Sequence, residues 1–222
     1  MFFIFAYQAQ DGVCKGVDIV IKDSTKTSYL QVEDIEKSLR QKKFKIEGKA
    51  LNKIDTYEIG KTVEENPIVR SAHCYKTPSG NVRIDVCQRT PILRVNGLTG
   101  NYYVDDEGYT MPASGGFAAY VPVASGYVSR EFATGRLLEF VRFLNDDDFW
   151  SAQIEQIYVS PTEEVELIPR VGNHTILLGR LDGYEKKLDN LFLFYRKGLG
   201  KKGWNTYKAI NLKYENQVIG VK

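Results

Sequence analysis

Several groups of residues in this chain have side chains suited to chemistry, and their spacing decides what each can do. Gly198-Leu199-Gly200-Lys201-Lys202-Gly203 satisfies the G-x-G-x-x-G spacing. A dinucleotide loop of that kind lies between a strand and a following helix, so that the helix N-terminus meets the pyrophosphate. Here the pattern follows an amphipathic stretch and precedes a strand, so it reads as a basic loop anchored on a sheet by Trp204. Asp146-Asp147-Asp148 places three carboxylates in a row. Calcium loops set their ligands at alternate positions around a tight Gly turn, so this run reads as a solvated helix end. Asp105, Asp106 and Glu107 could suggest an acid and base pair, but a glycosidase needs two carboxyls facing each other across a cleft. Neighbours on a tight turn point apart, and the group reads as a hairpin tip. His73 and His174 are the two histidines, and neither has Cys or His at ligand spacing. Ser125-Gly126 lacks the Gly-x-Ser-x-Gly elbow and reads as a loop. The expectation is no catalytic, metal or cofactor site, and therefore not an enzyme.

The three cysteines, Cys14, Cys74 and Cys87, match no zinc pattern. Cys74 and Cys87 flank a hairpin and either pair across it or, with Cys14, serve as small apolar residues. Phe149-Trp150 is either a partner anchor or a core plug before the strand at Ile154, the second being favoured. With 43% hydrophobic and 12% aromatic residues over 222 positions, the chain can build a core in one large or two small domains. A net charge of +2, with no basic stripe carrying interleaved aromatics, argues against nucleic acid. Met1 to Tyr7 is apolar but far short of the roughly 18 residues a membrane span needs, and it lacks the parts of a signal peptide. It is either a local arm or the tail end of a membrane helix.

The elements that would position these residues follow from periodicity. Val17, Ile19 and Ile21 alternate with polar residues as a strand. Val32, Ile35 and Leu39 recur at helical spacing. Asp55 and Glu58 form a capping-box pattern opening a helix that carries Ile59 and Val63 and ends before Pro67. Strands Ile68 to Lys76 and Val82 to Arg89 are joined by Thr77-Pro78-Ser79-Gly80-Asn81, a hairpin loop. Pro91 cannot continue a central ladder, which places a boundary there. The arm covers residues 1–15, the first domain 16–90 and the second 91–222. In the second, Tyr102 to Val104 and Tyr109 to Met111 flank an acidic Gly turn, and Gly115-Gly116 and Pro122 mark loops. Leu137, Phe140, Val141 and Leu144 make a helical face. Ile154 to Val159, Val165 to Ile168 and Thr175 to Leu178 read as an antiparallel meander. A helix carrying Leu188, Leu191, Phe192 and Tyr195 follows. The chain closes with Ala209 to Tyr214, a Glu215-Asn216 turn, and Gln217 to Val221.

The first unit, strand-helix-helix-strand-strand, resembles a POTRA domain. Arg89-x-Pro91, Tyr103-Val104-Asp105-x-x-Gly108 and Pro122-Val123-x-Ser125-Gly126, in that order, resemble the β domain of the FtsQ/DivIB bacterial cell-division family. The likeness continues through Ile154-x-x-Ile157, Leu177-Leu178-Gly179 and Leu212-Lys213-Tyr214, over roughly residues 16 to 222. The resemblance implies an α+β fold, with an N-terminal POTRA domain (βααββ) followed by a mixed/antiparallel β domain with flanking helices. It implies a non-catalytic divisome scaffold that holds FtsB/FtsL-like partners near the septal peptidoglycan synthase. It further implies a single-pass anchor in the bacterial inner (cytoplasmic) membrane, with this chain on the periplasmic side and Met1 to Tyr7 as the stump of the membrane helix. FtsB engages such proteins through the open edge of the β domain, at its last strand. Carried over by position, the contacts are Tyr214, Asn216, Gln217, Val218 and Ile219. Many family members have Gly in the closing turn where this chain has Gln217. The alternative is a POTRA-containing periplasmic chaperone module of a secretion or outer-membrane assembly system.

Overall fold

A computed structural model describes residues 12–22, 29–98, 100–113, 118–199, 203–214 and 216–222. The arm at Met1 to Tyr7, the Gly115-Gly116 pair, Gly200, Lys201 and Lys202 of the glycine pattern, and Glu215 of the closing turn lie outside these residues. The chain divides after Arg89 into two compact units.

The first unit runs β1 (Val17–Ile21), α1 (Val32–Gln41), a 3-10 turn (Leu51–Lys53), α2 (Thr56–Glu64), β2 (Val69–Lys76) and β3 (Val82–Gln88). This is the expected βααββ order. The sheet order is β1-β3-β2, with β1 parallel to β3 and β2 antiparallel to it. A parallel pair needs a long crossover, and the two helices lie within it. Asp55 Oδ1 accepts the Glu58 N–H at 3.0 Å, a cap contributing about 1 kcal/mol. Ile35, Leu39, Ile59 and Val63 are buried, as are Val82, Ile84 and Val86. Between the last three, on the other face of β3, Asp85 binds Arg83 at 2.9 Å and Lys22 at 3.0 Å. Hydrogen bonds from Arg83 and then Lys22 hold its carboxyl below the usual carboxylate range.

The β2–β3 register excludes the cross-hairpin disulfide. Cys74 stands opposite Ile84, and Cys87 opposite Ser71. The two cysteines are three rungs apart, about 10 Å along the strands, beyond the roughly 7 Å that a disulfide spans between Cα atoms. All three cysteines are free. Burial pushes the Cys74 thiol up to about 11.

The second unit runs β4 (Pro91–Gly97), β5 (Gly100–Asp105), β6 (Thr110–Pro112), β7 (Val123–Gly126), α3 (Arg130–Thr134), α4 (Arg136–Asp146), α5 (Asp148–Gln153), β8 (Ile154–Val159), β9 (Val165–Pro169), β10 (Thr175–Gly179), α6 (Tyr184–Phe194), a π-helical turn (Tyr195–Leu199), β11 (Ala209–Asn211) and β12 (Ile219–Val221). Among the described residues the strands form one sheet in the order β12-β11-β10-β9-β8-β7-β4-β5-β6. One face packs under the helices. Leu93, Val95, Ala124, Ile157, Val159, Leu167, Ile176 and Ile210 form a single core with Leu137, Phe140, Val141 and Leu144 of α4 and Leu188 and Leu191 of α6. Burying each such side chain stabilises by about 1.5–3 kcal/mol relative to leaving it exposed.

Two sequence expectations fail here, each for its own reason. Pro91 was expected to interrupt a ladder, yet it is the first residue of β4 and stands opposite Asp105 of β5. A strand's first position is one of the few that tolerate a missing N–H. Ser125-Gly126 was expected as loop, yet it ends β7, which lies between β4 and β8 and is parallel to both. A four-residue strand buried between parallel neighbours has no room for the alternation that marks a half-exposed strand. Gly126, at φ +87°, places its α-carbon against the Val159 carbonyl, where any side chain would collide. The acidic turn is built the same way. Buried Asp105 accepts the Glu107 and Tyr109 N–H groups on Oδ1 at 3.0 and 2.7 Å, and Arg142 donates to the Asp106 carbonyl.

Candidate functional site

Two of the groups suited to chemistry, the acidic run and His174, have structural partners. Asp147 Oδ1 accepts the Phe149 and Trp150 N–H groups at 2.8 and 3.0 Å. It therefore caps α5, and the acidic run joins two helices instead of ending one. Trp150 is buried, and Phe149 packs edge-on to it with ring centroids 4.8 Å apart. His73 is exposed on β2. His174 is buried, with Nε2 2.7 Å from the Tyr195 hydroxyl. Among the described residues no group of three His, Cys, Asp or Glu side chains could hold a metal. No helix among them is long and apolar enough to cross a membrane.

The open end of the second sheet is a different kind of site. β12 has one neighbour among the described residues, β11, and pairs with it antiparallel: Ala209 opposite Val221, Ile210 opposite Gly220, Asn211 opposite Ile219. β11 itself runs parallel to β10. The Thr175 N–H donates to the Lys208 carbonyl, and the Leu212 N–H to the Leu177 carbonyl. Even-numbered residues of β11 therefore turn their backbone groups to β10, and Ala209 and Asn211 turn theirs to β12. By the alternation of an antiparallel ladder, Val221 and Ile219 face inward to β11. Gly220 then directs its N–H and C=O to the open side, with Val218 and Lys222 in phase with it.

Side chains reinforce that edge. Ile210 is fully buried on the helix-covered face, so its partner Gly220 lies on that face too. A side chain at Gly220 would meet the Tyr207 ring at 2.5 Å. Tyr207 covers the glycine and packs against Phe194 of α6, with centroids 5.8 Å apart. Ile219 and Val221 point to the uncovered face and are 39% and 44% exposed. Exposed apolar residues on an unpaired strand invite another chain to pair. The opposite edge differs: β6 is three residues long and ends at Pro112, which has no N–H to donate.

The five residues expected to make contact divide by place. Ile219 alone is on β12. Val218 packs partly buried against the core. Tyr214, 59% exposed, lies in the connection with Asn216 and Gln217. The closing strands are thus shorter than the sequence reading gave, and the link between them spans 212–218. Its turn is closed by the Gln217 N–H donating to the Tyr214 carbonyl at 3.3 Å. The left-handed residue is Asn216, at φ +61°, and Asn is among the few non-glycine residues that accept that conformation. Gln217 therefore needs no glycine. Tyr214, Asn216 and Gln217 converge with Lys186, Lys187 and Asn190 of α6 on a pocket of about 70 Å³ beside the edge. Lys213, from the same link, reaches Glu164 at 2.6 Å and ties the link to the turn before β9. Sequence reasoning missed Gly220 and Tyr207. The signal for Gly220 was a glycine in the middle of an otherwise β-branched strand, which marks a close approach.

Residues 12–87 match the POTRA-like domain family, and residues 90–221 match the family described as FtsQ/DivIB, C-terminal related. The chain is also similar to the Cell division protein FtsQ of Rhodothermus marinus, 28% identical over 186 residues, which cover 78% of this chain and 67% of that protein. The second match takes in more than half of the chain and contains the whole nine-stranded sheet with its open edge, and on that ground the chain belongs to the FtsQ/DivIB family.

Proposed function

We propose that this protein is a non-catalytic scaffold of bacterial cell division that binds FtsB/FtsL-like partners by strand addition along β12. The observation that carries this reading is the unpaired side of β12: outward backbone groups at Gly220, with exposed Ile219 and Val221 beside them. Main-chain hydrogen bonds from an added strand supply affinity, and side-chain pockets supply selection. The contact set is Tyr214, Asn216, Gln217, Val218 and Ile219, with Gly220 and Val221 added on geometry. Family membership and the name of the Rhodothermus marinus relative support a role in division. In this reading a membrane helix anchors the full-length protein in the inner membrane with both units on the periplasmic side, and holding the partners there helps control septal peptidoglycan synthesis. A groove of about 560 Å³ between α2 and the edge strand β2, lined by Tyr57, Lys61, His73 and Tyr75, gives the POTRA-like unit a surface for a second partner.

The test is Ile219→Asp. The residue is on the uncovered face, so the core stays intact. A charge set against the added strand's backbone should weaken binding of a peptide from an FtsB-like protein of the same genome about tenfold or more, roughly 1.4 kcal/mol, with unchanged tryptophan fluorescence. Equal affinity would remove β12 from the interface.

A further inference from the structure

We propose that His174 is a pH-sensitive latch on the segment that sets the edge strand. This rests on the strand-addition reading only for its consequence in the cell, because the device itself is visible in the fold. His174 is 3% exposed and lies immediately before β10. Three segments meet its imidazole. The π-helical turn places the Tyr195 hydroxyl 2.7 Å from Nε2. Gly172, at φ +92°, lies so close that a side chain there would meet Nδ1 at 2.8 Å. The Trp204 carbonyl lies on the Nδ1 side, short of a well-formed hydrogen bond. Tyr195 packs in turn on Trp204, Trp150 and Phe149. The imidazole thus lies edge to face with the Tyr195 ring, centroids 5.6 Å apart, and Tyr195 is backed by further aromatic surface. Tyr195 is the titratable group against it, and burial keeps that hydroxyl neutral. No charged side chain acts on the imidazole among the described residues, so a proton there would find no counter-ion.

The latch is connected to the edge by hydrogen bonds. The Thr175 N–H, next along the chain from His174, donates to the Lys208 carbonyl at 3.0 Å. The Lys208 N–H donates to the Val221 carbonyl at 2.8 Å. Tyr207, which covers Gly220, lies in the same segment, between Trp204 and β11. Protonating the buried imidazole is unfavourable, whereas opening the segment lets it take a proton in water. The folded-state pKa is lowered from 6.5, by burial first. The neutral ring's contribution is therefore complete above 6.5. It falls as pH drops below 6.5 and levels off at the folded pKa. In acid, the segment carrying Tyr207 and β11 opens more readily, and the edge loses its cover.

The experiment is amide hydrogen exchange on the full chain between pH 7.5 and 5, corrected for intrinsic rates. Protection at Thr175 and Lys208 is read against the Tyr127 amide, which bonds to the Val159 carbonyl. The expected result is a loss of relative protection of up to about tenfold per pH unit below 6.5, absent in His174→Gln. Imidazole titration by NMR gives a second reading on the wild type alone: His174 should titrate below 6.5. Flat relative protection, or a His174 that titrates at or above 6.5, would overturn the latch. Neither readout uses a partner, so a failed latch leaves strand addition standing, and Ile219→Asp tests strand addition without changing the latch.

Discussion

Asp105→Ala tests whether the acidic turn is architecture. The carboxylate is fully buried and accepts two backbone N–H groups on one oxygen. Hydrogen bonds to a charged group contribute about 1.5–3 kcal/mol each. Glu107 and Tyr109 lie at an exposed tip, where water replaces part of what is lost, so the lower half of that range applies. Removing the side chain should then cost about 3 kcal/mol. Asp105→Asn keeps an acceptor at Oδ1 and should cost about 1 kcal/mol. Both tryptophans, Trp150 and Trp204, lie in the second unit, so fluorescence during urea unfolding reports that unit without the first. With a urea slope of about 1–3 kcal/mol per molar, the alanine variant's midpoint should fall by about 1–3 M. A shift under 0.3 M, or an asparagine variant no better than alanine, would refute the claim that Oδ1 holds the turn; the threshold corresponds to roughly 1 kcal/mol at the steepest of those slopes.

Three further outcomes follow from the geometry. Intact mass under non-reducing conditions should show no Cys74–Cys87 disulfide. With its thiol pushed up to about 11, Cys74 is only about 0.1% thiolate at pH 8 and should alkylate slowly in the folded state and fast in urea. Asp85 stabilises the first unit through Arg83 and Lys22. Its folded-state pKa is lowered from 3.8, so that contribution is complete above 3.8 and is lost as pH falls through the folded value. Asp85→Asn should flatten this acid limb and cost about 1 kcal/mol at pH 7, since both cationic partners are well exposed. Gly220→Val should drive Tyr207 off the sheet and lower the second unit's stability by about 1–3 kcal/mol, seen as a lower midpoint by Trp204 fluorescence.

The first unit was legible in the sequence because each of its elements states its own period. Val17, Ile19 and Ile21 alternate, Ile35 and Leu39 recur at four, and Asp55 caps where a cap was read. The antiparallel strands β8 to β10 were legible for the same reason. What stayed hidden was set by distant partners. β7 is central because it lies between β4 and β8, and β4 because it lies between β7 and β5, and nothing local in Pro91 or Ser125-Gly126 reports a parallel neighbour. α5 was hidden because Asp147 sits within an acidic run, where its role as a cap looks like solvated charge. The candidate edge was located by resemblance to the closing hairpin. Its register, which turns Gly220 outward and places Asn216 in the left-handed turn, depends on the β10 pairing and could not be read from residues 209–221 alone.

The central claim is that a partner chain hydrogen-bonds to the outward side of β12. Amide hydrogen exchange at Gly220, measured with and without a saturating peptide from the FtsB-like protein of the same genome, tests it most directly. Gly220 should be slowed at least tenfold by the peptide, while the Leu212 amide, already bonded to Leu177, changes little. A bound peptide that leaves Gly220 exchanging at its free rate would contradict strand addition at this edge.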